Sequence, residues 1–206
     1  YDGSNVADKE VTAAGLKLIG DASSNYQLST DNVTAKAKIT PAKAAVSADS
    51  KTKTYGDSDP ELTATVTGTV PGETLEYSLS RDPGEDAQNY GIHVTLKGSS
   101  AVPGNYQIST QDSTLTICPY QITEENFEFK ASDKVYDGNR TNTNYTITVK
   151  GLPNQDQLTA AIGNVLFNSA NVDDAKEVEA THLSLSGAAA KNYQLPKTFT
   201  LKASAK

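Results

Sequence analysis

The sequence predicts an all-β protein made of tandem modules, with an immunoglobulin-like β-sandwich as the first choice of fold. Thr and Tyr are abundant, several short stretches alternate apolar with polar residues, and clusters of turn-forming residues separate those stretches. Thr and Tyr favour half-buried pleated strands, and a period of two is the pattern of a strand with one face on a core. Short strands at such spacing are typical of sandwiches. The alternative is a β-grasp-like module with one short helix in each unit.

The strand predictions follow this alternation along the chain. In the first clear example, Leu62, Ala64 and Val66 alternate with threonines, which places apolar side chains on one face and hydroxyls on the other. The stretches with this pattern are residues 62–67, 75–80, 92–97 and 145–150. Gly, Pro, Asp and Asn cluster between them and predict turns. Residues 154–162 are the only helix candidate, but they align with the alternating residues 72–79, so we expect a strand or one irregular turn there.

An Asn-Tyr-Gln triplet recurs three times, each time after a glycine that follows an alternating stretch. The tyrosines of the triplets are Tyr26, Tyr106 and Tyr193, spaced 80 and then 87 residues apart. We expect these three rings to occupy one equivalent position, packed on inward-facing residues of the preceding strand. A second landmark supports the same repeat, since Lys-Thr-Tyr-Gly-Asp at 53–57 is matched by Lys-Val-Tyr-Asp-Gly at 134–138.

The phase of the repeat divides the chain into one half unit and two whole units. Residues 1–40 correspond to the C-terminal half of one unit, and residues 41–118 and 119–206 correspond to whole units. Pro41 and Pro119 lie at the joints, where a fixed φ and a missing N–H suit a joint or the first residue of an edge strand. The joints lack Gly/Ser-rich linkers, so we expect an elongated, semi-rigid array whose partners are neighbouring modules of the same chain.

The half unit is not expected to fold alone. About forty residues rarely bury enough apolar surface for an independent fold, and the open strand edges of residues 1–40 are available for pairing. We therefore expect another strand to cover this half unit. A second copy of the chain is one source of that strand, so self-association through residues 1–40 is among the predicted interactions.

Composition excludes several classes of protein. The formal net charge is −7, the sequence pI is about 4.8 and the arginines are Arg81 and Arg140, so a nucleic-acid-binding surface is not expected. No apolar run approaches the ~18 residues of a membrane-spanning helix. The single Cys118 excludes an internal disulfide framework and a cysteine-rich zinc site. Because the sequence contains no Met, we expect it to be a piece of a longer protein.

The motifs resemble two families of repeat modules, MBG-type and YDG-type. The MBG-like motifs are K-T-Y-G-D-S-D-P-E-L at 53–62, S-R-D-P-G-E at 80–85 and N-Y-Q-I at 105–108, and the YDG-like motifs are K-V-Y-D-G-N at 134–139 and N-V-D-D-A-K-E-V at 171–178. Residues 1–40 resemble the second half of another YDG-type unit. The resemblance implies a bacterial cell-surface or secreted protein, of the kind often called an adhesin, with many such modules outside the cell.

Candidate chemistry is sparse, and neither catalysis nor an organic cofactor is predicted. Asp57, Asp59 and Glu61 place three carboxylates in one segment, which we interpret as a polar turn, so no metal site is predicted. The alternative for these three residues is a Ca²⁺ site, because calcium prefers oxygen ligands. His93 and His182 each lie five residues before the equivalent glycine of successive units. We therefore expect both histidines to face solvent in separate modules.

One covalent alternative is an internal amide between a Lys and an Asn or Asp, as some bacterial surface modules form. The lysines considered are Lys134, Lys176 and Lys191, and the sequence singles out none of them as buried.

The predicted function is a non-catalytic extracellular stalk, spacer or adhesin segment. The alternative is a module that binds a glycan or a host surface protein through exposed aromatic rings. Tyr90, Tyr120 and Tyr145 are the candidates for such rings because they recur least among the tyrosines, and Tyr1 is a further aromatic residue to consider.

Overall fold

The structure is a computed structural model that describes residues 5–98, 103–174 and 177–205, so Tyr1 and Lys176 lie outside the described residues. The protein is 48% strand, and the described residues form short 3-10 turns but no helix of seven residues or more. The all-β prediction is therefore confirmed. The helix of the β-grasp-like alternative is absent from residues 71–80 and 153–163, where only Pro153–Gln155 forms a 3-10 turn.

The strands of the described residues are numbered in chain order. They are β1 (Ala7–Ala14), β2 (Asn32–Ile39), β3 (Ala42–Ala48), β4 (Lys51–Thr54), β5 (Ala64–Thr67), β6 (Tyr77–Arg81), β7 (Asn89–Leu96), β8 (Tyr106–Gln111), β9 (Ser113–Cys118), β10 (Tyr120–Gln121), β11 (Phe127–Ala131), β12 (Tyr145–Val149), β13 (Thr159–Phe167), β14 (Glu177–Ser186), β15 (Tyr193–Gln194) and β16 (Leu201–Ser204). The four alternating stretches correspond to β5, β6, β7 and β12, as predicted. The helix candidate at 154–162 is a turn that leads into β13.

The chain forms two compact units that do not coincide with the repeat. The first unit contains residues 1–49, 62–80 and 92–113, and the second contains residues 50–61, 81–91 and 114–206. Residues 41–118 therefore contribute to both units. The division at Pro41 and Pro119 remains a prediction from the repeat.

In the first unit, β3 lies between two neighbours. It pairs antiparallel with β5 and parallel with β8, with Ala42 opposite Tyr106. The alternation in β3 sends Ala44 and Val46 inward, where they pack with Leu75 and Tyr106. The half-buried side chains around this core are Ala64, Val66, Tyr77, Val94 and Ile108.

The half unit contributes an antiparallel hairpin, β1 with β2, to the first unit. None of residues 5–40 is buried. Val33 in β2 is 52% exposed, and Ile19 in the connection between the two strands is 93% exposed. This agrees with the expectation that the half unit buries little by itself, and its pairing with a second chain remains a prediction.

In the second unit, β4 pairs parallel with β9, and β10 pairs parallel with β15, with Tyr120 opposite Tyr193. Strands β11 and β12 form an antiparallel pair, and β13, β14 and β16 form an antiparallel sheet. The buried apolar side chains include Ile122, Phe127, Val165, Phe167, Val178, Ala180 and Leu201. No helix in the described residues is both long and apolar enough to cross a membrane.

Candidate functional site

Three tyrosines and one carboxylate meet in the second compact unit, where residues 50–61 contact residues 119–206. The hydroxyls of Tyr55 and Tyr193 each donate a hydrogen bond to Asp156 Oδ2 at 2.7 Å. The ring of Tyr193 lies edge-on to Tyr55 at 5.5 Å and to Tyr120 at 5.8 Å between centroids. We call Tyr55, Tyr120, Tyr193 and Asp156 the tyrosine cluster. The tyrosine cluster thus joins Tyr55, from the repeat unit 41–118, to three residues of the repeat unit 119–206.

The tyrosine cluster is buried enough to change the chemistry of its hydroxyls. Tyr55 is 6% exposed and Tyr193 is 7% exposed. Burial, followed by the hydrogen bond to Asp156, raises the pKa of Tyr193 well above its usual value. The Tyr193 hydroxyl therefore stays protonated and donates to the carboxylate.

Local backbone geometry places Tyr55 in the cluster. Tyr55 directly follows β4, and its N–H donates to Cys118 O at 2.8 Å. The next residue, Gly56, has a φ of +93°, and a Cβ there would lie 2.4 Å from Pro153 Cβ. Only glycine fits such a positive φ and such a close approach at low cost. This position lets the loop after Tyr55 pack against Pro153.

A buried asparagine makes a second contact in the same unit. Asn192 is 2% exposed, and its Oδ1 accepts the Ala87 N–H at 2.8 Å while its Nδ2 donates to Asp86 Oδ1 at 2.9 Å. We call this pair of hydrogen bonds the asparagine clasp. The Lys191 ammonium lies 2.7 Å from Asp86 Oδ2, and it lowers the pKa of that carboxyl together with Asn192.

The asparagine clasp occurs again in the first unit. Asn105 Oδ1 accepts the Val6 N–H at 2.9 Å, and Asn105 Nδ2 donates to Asn5 Oδ1 at 3.1 Å. Asn105 and Asn192 both precede the tyrosine of an Asn-Tyr-Gln triplet and end a 3-10 turn. In both clasps, the residue pair that is gripped comes from the preceding unit of the repeat and lies just before a long strand. The same two hydrogen bonds thus join successive units at two places in the chain.

The three triplet tyrosines share a backbone setting but not one environment. Each follows a 3-10 turn, and Tyr106 and Tyr193 are both buried with their hydroxyls on a carboxylate, Glu73 and Asp156 respectively. The hydrogen bond to Glu73 raises the pKa of Tyr106. Tyr26 is 72% exposed. The expectation of one common environment therefore holds for two of the three rings, because residues 1–40 lack the acidic loop that receives the hydroxyl in a whole unit.

A buried lysine organises the loop that carries Tyr55. The Lys53 side chain is 5% exposed, and its Nζ lies 2.7 Å from Asp59 Oδ1, 2.6 Å from Glu85 Oε2 and 3.1 Å from Asp57 O. Arg81 contacts the other oxygens of Asp59 and Glu85. Desolvation lowers the pKa of Lys53, but the hydrogen bonds to Asp59 and Glu85 outweigh it, so the pKa is raised. Lys53 is therefore a protonated ion-pair partner, although the sequence did not identify it as the buried lysine.

The Ca²⁺ candidates are placed in this same loop. Asp59 binds Lys53 and Arg81, Asp57 Oδ2 accepts the Thr54 N–H at 3.3 Å, and Glu61 is exposed. Among the described residues, no group of three or more His, Cys, Asp or Glu side chains is arranged to hold a metal ion. The calcium alternative gains no support from this geometry.

The equivalent lysine of the unit 119–206 organises an equivalent loop. Lys134 Nζ binds Asp137 Oδ1 at 2.7 Å, Asn139 Oδ1 at 3.0 Å and Thr141 O at 3.0 Å. The loop between Lys134 and Thr141 carries Tyr136, the counterpart of Tyr55. Tyr136 is 64% exposed, whereas Tyr55 is buried in the tyrosine cluster.

The three candidate ligand-binding tyrosines are buried or half-buried, and each ring lies against another side chain. Tyr90 is 6% exposed and lies beneath the Arg81 guanidinium at 5.5 Å from the ring centroid, so the expectation of an exposed platform at Tyr90 is corrected. Its ring is covered because Gly84, with a φ of +135°, lets the loop after Arg81 pass directly over it. Tyr120 is half-buried in the tyrosine cluster. Tyr145 is half-buried beside Phe129 at 6.2 Å between centroids.

The two histidines lie in different compact units. His93 Nδ1 lies 2.8 Å from Asp112 Oδ2 and its side chain is 45% exposed. His182 is exposed and lies at an irregularity of the β13–β14 pair, with a φ of +58°.

Sequence reasoning missed the asparagines and the acidic residues of the joints. Asn105 and Asn192 precede the triplet tyrosines, and the recurrence of the asparagine was as strong a signal as the recurrence of the ring. Asp86 and Asp156 carried no signal, because an acidic residue in a turn is ordinarily explained by the turn itself.

Comparison with known families assigns the two whole units. Residues 44–116 match the family described as MBG domain (YGX type), and residues 124–200 match the family described as YDG domain. Searches of curated proteins and of solved structures each found no match.

Proposed function

Because the chain carries an MBG domain followed by a YDG domain in tandem, we propose that it is a non-catalytic extracellular spacer of a bacterial surface protein. Both domains are repeat-like modules. In this role the joints between modules are the functional elements, since a spacer must hold its modules in a defined arrangement under load.

The observation that carries the proposal is the repeated asparagine clasp. A flexible string of modules needs only a covalent linker, whereas in this chain an asparagine makes two hydrogen bonds to the preceding unit at each joint. Asn192 is 2% exposed and uses both ends of its carboxamide on Asp86 and Ala87. Buried hydrogen bonds of this kind fix geometry, because a displaced partner leaves a polar atom without water or protein to bind.

The tyrosine cluster supports the same conclusion. Tyr55 and Tyr193 share Asp156 and bury their rings against each other. Edge-to-face aromatic pairs contribute about 0.5–1.5 kcal/mol beyond their buried area. Their angular preference resists rotation of one module against the other.

A distance measurement tests the proposal in the full chain. Spin labels at Thr52→Cys and Ser184→Cys, both at exposed positions of the second unit, are introduced after Cys118→Ser. Pulsed electron spin resonance should give a narrow distance distribution across the joint. Asn192→Ala should broaden that distribution, whereas the control Asn164→Ala, which removes an exposed β13 side chain outside the joint, should leave it unchanged. A broad distribution in the unmodified chain would overturn the spacer proposal.

Adhesion is tested on the same protein by screening immobilised chain against glycans and host matrix proteins. A pure spacer should bind none of them. Binding that is lost on Tyr145→Ala, with the joint distance unchanged, would make the segment an adhesive module instead. Protease treatment of intact cells that produce the parent protein tests the extracellular location, because a surface segment is cleaved while cytoplasmic proteins are not.

A further inference from the structure

We infer that the surface formed by Val135, Tyr136, Asn171 and Val172 is a docking face for the Asn-Tyr-Gln corner of a further module of this architecture. We call these four residues the outgoing face. The inference deepens the proposed function and rests on it in one respect, namely that the joint contacts hold modules together.

The residues that make joint contacts in the unit 41–118 have counterparts in the unit 119–206. In the unit 41–118, the contacts to the following unit include hydrogen bonds from Tyr55 and with the pair Asp86–Ala87. The landmark Lys-Val-Tyr-Asp-Gly makes Tyr136 the counterpart of Tyr55. Asn171–Val172 lies before β14, as Asp86–Ala87 lies before β7.

The half unit independently identifies Asn171–Val172 as a clasp partner. The sequence around Asn5–Val6 aligns with the sequence around Asn171–Val172, since both begin Asn-Val and continue to a Glu-Val pair. Asn5 and Val6 are the residues that Asn105 grips. The same residue types at 171 and 172 therefore present an acceptor side chain and a backbone N–H to an incoming asparagine.

The apolar side chains of the outgoing face are exposed to solvent. Val135 is 89% exposed, Tyr136 64% and Val172 73%, whereas Tyr55 in the occupied joint is 6% exposed. Apolar side chains grouped at one end of a module are a usual mark of a protein-binding surface.

The outgoing face is also preorganised and lies at one end of the module. Lys134 fixes the Tyr136 loop through Asp137, Asn139 and Thr141. Thr141 forms a bridge to Leu166, near the end of β13 from which the Asn171 loop departs. Asn171 Nδ2 donates to Asp174 Oδ2 at 3.4 Å, a bond that does not use Asn171 Oδ1, the atom that the clasp requires as acceptor.

The occupant is a module that supplies what the unit 119–206 supplies in the occupied joint. It enters with an asparagine for the Val172 N–H and the Asn171 side chain. The tyrosine after that asparagine packs on Tyr136, and an acidic residue in the position of Asp156 accepts the Tyr136 hydroxyl.

The test extends the full chain by a second copy of residues 119–206 after Lys206, with isotope label in residues 1–206 only. Amide exchange at Val172 should slow at least tenfold relative to the 206-residue chain. Asn192→Ala in the appended copy should abolish that protection. The same substitution in the first copy is the matched control, because it should speed exchange at Ala87 and leave Val172 protected.

Unchanged exchange at Val172 in the extended chain would overturn the inference, provided that complementary labelling shows the appended copy to be folded. In that case a protected Ala87 amide leaves the proposed spacer function standing. Rapid exchange at both Val172 and Ala87 would instead refute the two together.

Discussion

Removing the carboxylate of Asp156 is the most direct test of the joint. In the folded protein this one side chain accepts hydrogen bonds from Tyr55 and Tyr193, each at 2.7 Å. Asp156→Ala leaves both hydroxyls without that acceptor while their rings remain 6% and 7% exposed. We expect the second compact unit to lose stability, and we expect the loss to arise at the joint.

The size of the loss follows from the two hydroxyls. A buried donor left unsatisfied costs about 1–3 kcal/mol. Asp156 itself is half-buried, so water reaches part of the vacated space, and the lower half of that range applies to the Tyr55 hydroxyl. The Tyr193 hydroxyl contributes less, because it also lies 3.3 Å from Pro153 O, which remains as an acceptor. The expected loss for Asp156→Ala is therefore about 1–3 kcal/mol. Asp156→Asn keeps one acceptor oxygen and should lose about half as much.

Native-state hydrogen exchange measures this loss in the second unit alone. The amides around Val178 in β14 are suitable probes, because Val178 is fully buried there. Asp173→Ala is the matched control, since Asp173 is an exposed acidic residue of the same module, and its effect should stay within about 0.5 kcal/mol. In the Asp156→Ala background, Tyr55→Phe should no longer destabilise. A loss below about 0.5 kcal/mol for Asp156→Ala, or full additivity with Tyr55→Phe, would refute the shared-acceptor geometry.

Three other outcomes test the surroundings of the joint. Gly56→Ala should destabilise by about 1–3 kcal/mol in chemical denaturation, because a positive φ and the approach to Pro153 both oppose a Cβ. The free energy of unfolding should fall on acidification, because Lys53 and Arg81 lower the pKa values of Asp59 and Glu85. The stabilisation from these two carboxylates is complete above the ordinary carboxyl range and is lost as the pH falls through the lowered pKa values. Lys53→Met should flatten this dependence in unfolding curves recorded from neutral to acidic pH. Intact mass should equal the sequence mass, because the protonated Lys53 is no nucleophile. A mass lower by one ammonia would instead reveal an internal Lys–Asn amide, and a mass lower by one water an internal Lys–Asp amide.

The strands were predictable because their signal is local. Leu62, Ala64 and Val66 alternate with threonines within six residues, and the structure forms β5 at Ala64–Thr67. The Asn-Tyr-Gln triplets were equally visible in the sequence, whereas the 3-10 turn that each of them follows was not predicted. The alternation in a strand can be read from neighbouring residues, because it depends only on which face of the strand meets the core.

The joints were not predictable from local patterns, because their contacts link residues far apart in sequence. Asn192 grips Asp86 and Ala87 from more than one hundred residues away. Burial of Tyr90 depends likewise on the Arg81 side chain and on a glycine that lets the chain cross its ring. Nothing in the alternation around Tyr90 distinguishes a covered ring from an exposed one.

The chemistry of the clasp explains how one joint serves units of different sequence. The incoming asparagine takes a backbone N–H from Val6 in one joint and from Ala87 in the other, so the side chain at that position is free to vary. Its Nδ2 requires only an acceptor oxygen, which Asn5 and Asp86 both provide. The fixed element is the carboxamide itself, since only a side chain that both donates and accepts completes the pair. A joint built this way constrains one residue of the incoming module and leaves the faces of the outgoing module to diverge.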